Sequence, residues 1–215
     1  MIDRLGVMLR MASTGDMCTI YLLRHGRTES NAAGRLMGHL DEALAPVGRH
    51  QAAAAARGLQ GRGISAVYAS DLRRAFDTAC IVAEALQLPV TAVSGLREIN
   101  VGDWAGLTQD EIQRRDPQTY ATVRADPAGN GPPNGESEAE MADRVWQALD
   151  SIAAAHAGET VLVVSHGGPL RSIVGRTIGQ SQVASSVFAF DNCGSMVLEW
   201  SKAGRRLMVP SPVIG

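Results

Sequence analysis

Short apolar runs that stop abruptly at polar residues are the feature that most constrains the fold of this chain. Residues 19–23, 64–69 and 160–164 have the length and apolar content of buried strands. Segments with helical character separate these runs, and residues 71–86 form the best amphipathic pattern among them. Strands that alternate with helices predict an α/β fold with a mostly parallel sheet.

The remaining elements are predicted from weaker patterns. Thr108 can act as an N-cap, and Glu111 three residues later can complete a capping box. The rest of residues 94–135 is rich in glycine and proline, which predicts a loop that covers a site. Further helices are predicted over residues 48–59, 108–115, 136–157 and 169–178, a short strand over 90–93, and a closing hairpin from 187–190 and 195–200.

The chain has 215 residues, of which 45% are hydrophobic, and this is enough for one domain with a sizeable core. We expect residues 1–16 to form a flexible N-terminal leader, 17–208 a single domain, and 209–215 a C-terminal tail. A formal net charge of -2 argues against nucleic acid as a partner, and no apolar run is long enough to span a membrane. A homodimer is compatible with the sequence.

Three cysteines, Cys18, Cys80 and Cys193, lie far apart in the sequence. Their number is odd and their spacing does not match a metal site or a disulfide framework. Proteins whose cysteines form no disulfide framework usually occupy a reducing compartment, so we expect a cytoplasmic location.

Polar residues follow each predicted strand at the point where the strand ends. Because the carboxyl ends of parallel strands meet at one edge of a sheet, and ligands bind at that edge, these side chains should converge on one site. The set contains two histidines, several arginines and one carboxylate. Its members are Arg24, His25, Gly26, Ser70, Arg73, Arg74, Arg97, Glu98, His166, Gly167, Gly168 and Arg171.

This combination suits phosphoryl transfer. Arginines bind phosphate oxygens in a bidentate manner, and a neutral imidazole can attack phosphorus and carry the group covalently. A carboxylic acid can protonate the departing alkoxide and later take a proton from water. Since arginines and a second histidine can stabilise the negative charge, the sequence predicts no metal ion and no cofactor.

Four motifs in this chain resemble those of the histidine phosphatase superfamily, which includes phosphoglycerate mutases and many phosphatases. They span residues 23–31 (Leu-Arg-His-Gly-Arg-Thr-Glu-Ser-Asn), 70–79, 96–106 and 164–168 (Val-Ser-His-Gly-Gly), in the family's order. The resemblance implies a phosphoglycerate mutase-like α/β fold. This is a three-layer sandwich in which helices flank a mostly parallel central sheet on both faces.

The resemblance also implies a role for each matching residue. His25 would be the nucleophile that becomes phosphorylated, Glu98 the proton donor, and Arg24, Arg74 and His166 the walls of the phosphate pocket. Arg74 is preferred to Arg73 because it directly precedes an alanine, as the family's arginine does. The expected phosphate-binding residues are Arg24, Thr28, Asn31, Gly38, Arg74 and Gly167.

Other polar residues receive ordinary structural interpretations. His39, His50 and His156 are interpreted as hydrogen-bonded polar residues outside the chemistry. Arg97 and Arg171 stay open between a surface ion pair and a place in the phosphate site. Trp104 is expected in the core.

The predicted activity is a metal-independent phosphomonoesterase that acts on a small phosphorylated metabolite. A cofactor-dependent phosphoglycerate mutase is the first alternative, since it would use the same pocket and differ in what covers it. The second alternative is a non-catalytic phosphate-binding module, although binding alone requires neither a nucleophile nor an acid. A serine hydrolase that uses Ser165 is excluded, because Val163 occupies a position that the nucleophile elbow reserves for glycine.

Overall fold

The computed structural model of the protein describes residues 17–179, 189–201 and 204–208. Within these residues, six strands form one sheet in the order β3-β2-β4-β1-β5-β6. The strands are β1 (Cys18–Arg24), β2 (Ile64–Ala69), β3 (Val90–Ala92), β4 (Thr160–Ser165), β5 (Ser195–Trp200) and β6 (Arg205–Met208). The first four run parallel, whereas β5 is antiparallel to both β1 and β6. The predicted mostly parallel α/β fold is therefore confirmed.

The helices connect the strands and cover both faces of the sheet. In the described residues they are α1 (Glu29–Ala32), α2 (Pro46–Leu59), α3 (Arg73–Leu86), α4 (Gln109–Arg115), α5 (Pro117–Ala125), α6 (Glu138–Ala155) and α7 (Gly167–Thr177). Two short 3₁₀ turns, Ser94–Leu96 and Gly102–Trp104, lie in the predicted loop. None of the helices in the described part of the chain is both long and apolar enough to cross a membrane.

Successive side chains of the central strands point to opposite faces of the sheet, so the hydrophobic core is divided between the two faces. In β4, Val161 and Val163 pack with residues of α6 and α7 on one face, while Leu162 and Val164 pack with residues of α2 and α3 on the other. All four side chains are fully buried. A strand covered on both faces is apolar at every position, which explains why residues 160–164 form a continuous apolar run.

Two predictions for irregular regions require correction. The closing hairpin forms between β5 and β6, not between residues 187–190 and 195–200. Residues 187 and 188 lie outside the described residues, and residues 189 and 190 are not in a strand. The strand β6 was missed because Arg205-Arg206 begins it, and charged residues in a short edge strand do not produce a clear strand pattern.

The segment 94–135 contains more regular structure than the predicted loop. The helix α4 begins after Thr108 with the expected capping box to Glu111. It is followed by α5, which was not predicted although Asp116 caps it and Pro117 opens it. No residue of α5 is buried, so the sequence lacks the apolar stripe by which helices are recognised.

Candidate active site

A pocket of about 200 Å³ opens at the carboxyl ends of β1 and β4, where the sequence predicts the site. Its wall contains four arginines and one carboxylate, together with apolar side chains. The lining residues are Arg24, His25, Asn31, Arg35, Leu36, Met37, Gly38, Arg74, Glu98, Ile99, Val101, Gly167 and Arg171. Residues from five separate parts of the chain therefore meet in one pocket.

His25 directly follows β1 and is only 2% exposed. Its Nδ1 lies 2.7 Å from the carbonyl oxygen of Gly26, and because a carbonyl only accepts, Nδ1 carries the proton. Burial, reinforced by the positive charge of Arg74, lowers the pKa of His25 to about 3. At neutral pH the ring is consequently uncharged, and the lone pair on Nε2 is available as a nucleophile.

A close approach of two backbone segments fixes the turn that follows His25. A Cβ atom at Gly26 would lie 2.4 Å from the carbonyl oxygen of Gly48, at the start of α2. The amide of Gly26 also donates to Thr78 Oγ1 at 3.0 Å, and Thr78 is buried in α3. A side chain at position 26 would therefore push β1 and α2 apart and move the His25 ring.

His166 follows β4, is fully buried, and its ring centroid is 5.1 Å from that of His25. Its Nε2 is 2.8 Å from Ser70 Oγ, whereas its buried Nδ1 has no hydrogen-bond partner among the described residues. Burial, followed by repulsion from neighbouring cationic groups, lowers the pKa of His166 well below its ordinary value. The free ring nitrogen is thus a candidate contact for an oxygen of a bound group.

A buried arginine, Arg74, and a half-buried one, Arg24, complete this end of the pocket. Arg74 is 1% exposed, and its two terminal nitrogens donate to the carbonyls of Leu40 and Gly38, each at 2.8 Å. Arg24 donates through Nη1 to the carbonyl of Phe190 at 2.5 Å. In both residues Nε is buried without a partner in the described part of the chain, and burial lowers both pKa values. Unsatisfied buried donors are costly, so this arrangement is suited to an anion that would accept from them.

The Glu98 carboxylate lies on the pocket wall, held by two backbone amides. Oε1 accepts from the amide of Ile99 at 3.0 Å, and Oε2 accepts from the amide of Gly168 at 3.2 Å. A Cβ atom at Gly168 would lie 2.2 Å from Oε1, so glycine is required there for the carboxylate to reach its position. The start of α7 therefore packs directly against the Glu98 carboxylate and fixes its position.

The segment that carries Glu98 is attached to α6 by Arg144. Arg144 donates to the carbonyls of Gly95 at 3.1 Å, Arg97 at 2.7 Å and Glu98 at 2.7 Å. It also forms a two-point ion pair with Glu136. His39 Nε2 donates to the same Glu98 carbonyl at 2.8 Å. The backbone at the candidate acid is consequently held from two sides.

Known proteins match this chain in sequence and in fold. The sequence profile described as the histidine phosphatase superfamily (branch 1) matches residues 20–210. The chain belongs to the histidine phosphatase superfamily. The resemblance suggested by the four sequence motifs is therefore confirmed.

The relatives that resemble the chain in sequence are named for different activities. A metal-independent phosphoserine phosphatase of Arabidopsis thaliana is 42% identical over 74% of this chain and 68% of its own length. A glucosyl-3-phosphoglycerate phosphatase of Mycolicibacterium vanbaalenii is 36% identical over 74% of each chain. Phosphoglycerate mutase-like protein 4 of Arabidopsis thaliana is 40% identical over 75% of this chain and 71% of its own.

The fold is also found among solved structures of the superfamily. The structure of Bacillus stearothermophilus YhfR superimposes with a TM-score of 0.83 at 31% identity, covering 89% of this chain and 96% of that one. This agreement confirms the predicted phosphoglycerate mutase-like architecture.

The structure brings most of the predicted superfamily site residues together. Arg24, His25, Asn31, Gly38, Arg74, Glu98 and Gly167 line the pocket, and the His166 ring lies next to the His25 ring. Thr28 is an exception, because it is fully buried, does not line the pocket, and uses its hydroxyl to cap α1. Its hydroxyl supports the turn that carries Asn31, and its contact with phosphate stays a prediction.

Residues outside the predicted set support the site. Asn192 Nδ2 donates to the carbonyl of His25 at 3.1 Å and to Asn31 Oδ1 at 3.2 Å. Arg144 and Glu136 hold the Glu98 segment, as described above. Asn192 is 167 residues from His25 in the chain, and no local pattern indicates such a contact. Glu136 lies in a Gly-Glu-Ser segment, residues 135–137, but the sequence does not show that Arg144 is its partner.

The two arginines that the sequence left open have different environments. Arg97 forms a two-point ion pair with Asp71, with Nε 2.7 Å from Oδ1, which matches the structural interpretation. Arg171, in contrast, lines the pocket. His39 and His156 are hydrogen-bonded within the described structure, and Trp104 is buried, as expected.

Proposed function

We propose that this chain is a metal-independent phosphomonoesterase that works through a phosphohistidine at His25. The observation that carries the proposal is the state of His25. Its proton is held on Nδ1 by the Gly26 carbonyl, burial keeps the ring neutral, and it lines a pocket with Arg24 and Arg74. A non-catalytic binding module would not need a neutral, oriented nucleophile.

In the first step, Nε2 of His25 attacks phosphorus, so a P–N bond forms as the ester P–O bond breaks. Glu98, in its protonated form, gives its proton to the departing alkoxide. In the second step, Glu98 takes a proton from water, whose oxygen attacks phosphorus and displaces His25. Arg24, Arg74 and the Nδ1 atom of His166 would stabilise the charge on the oxygens of the transferring group.

A phosphoglycerate mutase is the second candidate, because a mutase-like relative is about as similar to the chain as the phosphatase relatives are. The phosphatase is favoured by what covers the pocket. The basic and aromatic residues of the cover, Arg114, Arg115, Tyr120 and Arg124, do not line the pocket that contains His25. A cover that placed these groups over the site would be expected to retain a phosphorylated intermediate for return transfer.

The substrate is proposed to be a small phosphorylated metabolite. Phosphoserine and glucosyl-3-phosphoglycerate, which appear in the names of two relatives, belong in the first substrate panel. A mutase assay with 2,3-bisphosphoglycerate should accompany the phosphate-release assays. The free thiols Cys18, Cys80 and Cys193 support a proposed cytoplasmic location.

The test of this function compares His25→Ala with His50→Ala, an exposed histidine of α2. His25→Ala should abolish turnover of p-nitrophenyl phosphate, whereas His50→Ala and EDTA treatment should leave it within about twofold. Brief reaction followed by denaturation should trap acid-labile phosphate on the wild-type protein and on His50→Ala, but not on His25→Ala. Near-normal turnover by His25→Ala, or strict metal dependence, would show that the proposed mechanism is wrong.

A further inference from the structure

Asn192 lies shortly before β5 and contacts two residues of the pocket without lining the pocket itself. Its Nδ2 donates to the carbonyl oxygen of His25 at 3.1 Å and to Asn31 Oδ1 at 3.2 Å. Any effect of the Asn192 side chain on a group bound in the pocket must therefore be transmitted through His25 or Asn31.

The side-chain amide of Asn31 has one orientation that satisfies its neighbours. The backbone nitrogen of Thr28 lies 3.2 Å from Asn31 Oδ1, and a backbone N–H can only donate. The atom of Asn31 that faces Thr28 must therefore be the oxygen, as in the capping box of α1. Nδ2 of Asn31, which carries two donors, then has no partner among the residues that the structure describes, and Asn31 lines the pocket.

The side-chain amide of Asn192 is oriented by the same reasoning. The His25 carbonyl and Asn31 Oδ1 are both acceptors, so the atom of Asn192 that faces them must be the nitrogen. Nδ2 of Asn192 thus uses its two N–H groups on these two oxygens. Asn31 Oδ1 in turn accepts from Thr28 and from Asn192, which matches its two lone pairs.

The backbone that follows Asn192 is fixed to the end of β1. The amide of Cys193 donates to the carbonyls of Arg24 at 3.1 Å and His25 at 3.3 Å. The carbonyl of Gly194 accepts from the amide of Arg24 at 3.0 Å. The Asn192 side chain consequently extends from a backbone that is held against the strand of the proposed nucleophile.

The helix that carries Asn31 has little packing of its own. α1 is four residues long, and none of its residues is buried. A helix of this length is not stable without contacts from outside it. The hydrogen bonds of Asn192 connect Asn31 to the backbone of His25, so the position of Asn31 relative to the nucleophile depends on Asn192.

We propose that Asn192 is a positioning residue that makes Asn31 present its Nδ2 donors to an oxygen of the transferring phosphoryl group. Asn192 acts through Asn31 and does not touch the substrate. The proposal rests on the proposed phosphatase function and deepens it. Without Asn192, the Asn31 amide can rotate and α1 can shift, and a hydrogen bond to a charged phosphate oxygen is weakened or lost.

A double-mutant cycle between Asn192 and Asn31 tests this dependence. Asn31→Ala and Asn192→Ala should each lower kcat/KM for p-nitrophenyl phosphate about 10- to 100-fold, the usual effect of losing a hydrogen bond to a charged group. The double variant should lose no more than about threefold beyond Asn31→Ala alone. Two independent roles would multiply the two losses, and that result would overturn the proposal.

Binding of inorganic phosphate separates positioning of Asn31 from general support of the fold. The dissociation constant, measured by calorimetric titration, should rise about tenfold in Asn192→Ala. It should change by less than about threefold when Asn192→Ala is added to Asn31→Ala. A side chain that only stabilises the fold would weaken phosphate binding equally in both backgrounds, which would contradict the proposal.

Asn192→Asp tests the orientation of the amide. The carboxylate has nearly the shape of the amide but offers no N–H group to the two acceptors that it faces. Asn192→Asp should therefore bind phosphate at least as weakly as Asn192→Ala. Wild-type affinity in Asn192→Asp would show that the two hydrogen bonds of Asn192 do not position Asn31.

The matched control is Asn130→Ala. Nδ2 of Asn130 also donates to one backbone carbonyl and one side-chain oxygen, both of Asp126, at 3.0 Å and 3.4 Å, but Asn130 does not line the pocket. Its kcat/KM and its phosphate affinity should stay within about twofold of the wild-type values, and its effect should be the same in the Asn31→Ala background.

The calorimetric cycle also distinguishes failure of this inference from failure of the proposed function. Phosphate binding with the expected coupling, in a chain that hydrolyses no phosphate ester, would support Asn192 and reject the phosphatase. Hydrolysis that Asn192→Ala leaves unchanged would overturn the role of Asn192 alone. A wild-type chain that binds no phosphate would overturn both.

Discussion

At the scale of single residues, orientation within the site depends on backbone groups more than on other side chains. The Gly26 carbonyl sets the tautomer of His25, and the carbonyls of Gly38 and Leu40 aim Arg74. The amides of Ile99 and Gly168 hold the Glu98 carboxylate. The contacts to Gly26 and Ile99 are with adjacent residues, whereas Arg74 and Glu98 are also held by backbone groups distant in sequence. The arrangement of those distant groups is a property of the fold.

The proposed acid role of Glu98 can be measured with a series of esters. Glu98→Gln keeps the shape of the side chain but cannot donate or accept a proton in the same way. The rate should fall about 10²- to 10⁴-fold for alkyl phosphates with poor leaving groups, and much less for p-nitrophenyl phosphate when the first step limits the rate. Single-turnover measurements across the series isolate that step. Equal losses for all leaving groups would remove Glu98 as the acid.

At the scale of elements, α6 acts as a support for the segment that precedes it in the chain. Arg144 in α6 satisfies three carbonyls of residues 95–98 and pairs with Glu136, whose Oε1 also accepts from the amide of Asn100 at 2.7 Å. The segment 94–100 has a single 3₁₀ turn of its own. The conformation of segment 94–100 therefore depends on the Arg144 side chain, and the position of Glu98 depends on the conformation of this segment.

Removal of Arg144 should weaken both the fold and the site. Arg144→Ala leaves carbonyls and the Glu136 carboxylate without their partner, which we expect to lower the free energy of unfolding by about 2 kcal/mol. It should also lower kcat more than KM, since the acid loses its position. Urea unfolding and steady-state kinetics measure the two effects.

The control for Arg144→Ala is Arg206→Ala. Arg206 pairs with Glu199 at 3.6 Å, and its side chain is 53% exposed, so its loss should change stability by less than about 0.5 kcal/mol. If Arg144→Ala is as stable and as active as Arg206→Ala, the three carbonyl contacts do not hold the segment in solution.

At the scale of the whole molecule, the fold buries two neutral histidines, His25 and His166, at the carboxyl ends of β1 and β4. Burial lowers the pKa of His25 to about 3 and that of His166 well below its ordinary value. Such groups bind protons less readily in the folded chain than in the unfolded chain. The fold consequently becomes less stable in acid because of the groups proposed to perform the chemistry.

This linkage gives a signed pH dependence. Above the ordinary histidine pKa of about 6.5, both states are neutral and these groups add no pH dependence. As the pH falls from 6.5 toward 3, the unfolded chain gains the protons, so the free energy of unfolding should fall by up to about 1.4 kcal/mol per pH unit for each histidine. Urea unfolding at several pH values measures the slope.

Variants isolate the contribution of the histidines from that of the carboxylates. His25→Asn should reduce the slope between pH 6 and pH 4 by nearly one proton, and His50→Asn should not change it. An identical slope in His25→Asn and wild-type protein would show that His25 is already protonated, or solvent-accessible, in the folded state.

Much of the fold and of the site followed from the sequence itself. The continuous apolar run at 160–164 predicted a strand covered on both faces of the sheet, because burial on both faces requires apolar residues throughout. The polar residues directly after this run predicted a site at the end of the strand. The four motifs then indicated the superfamily and most of the pocket residues. Patterns of this kind involve residues that are neighbours in the chain, so they can be recognised in the sequence alone.

Only the tertiary structure decided which of these residues meet and which are already occupied. Thr28 proved to be a helix cap, Arg97 the partner of Asp71, and Arg171 a residue of the pocket wall. The sequence left Arg97 and Arg171 equivalent. Their difference arises from contacts between segments far apart in the chain, and such contacts exist only once the sheet has brought those segments to one edge.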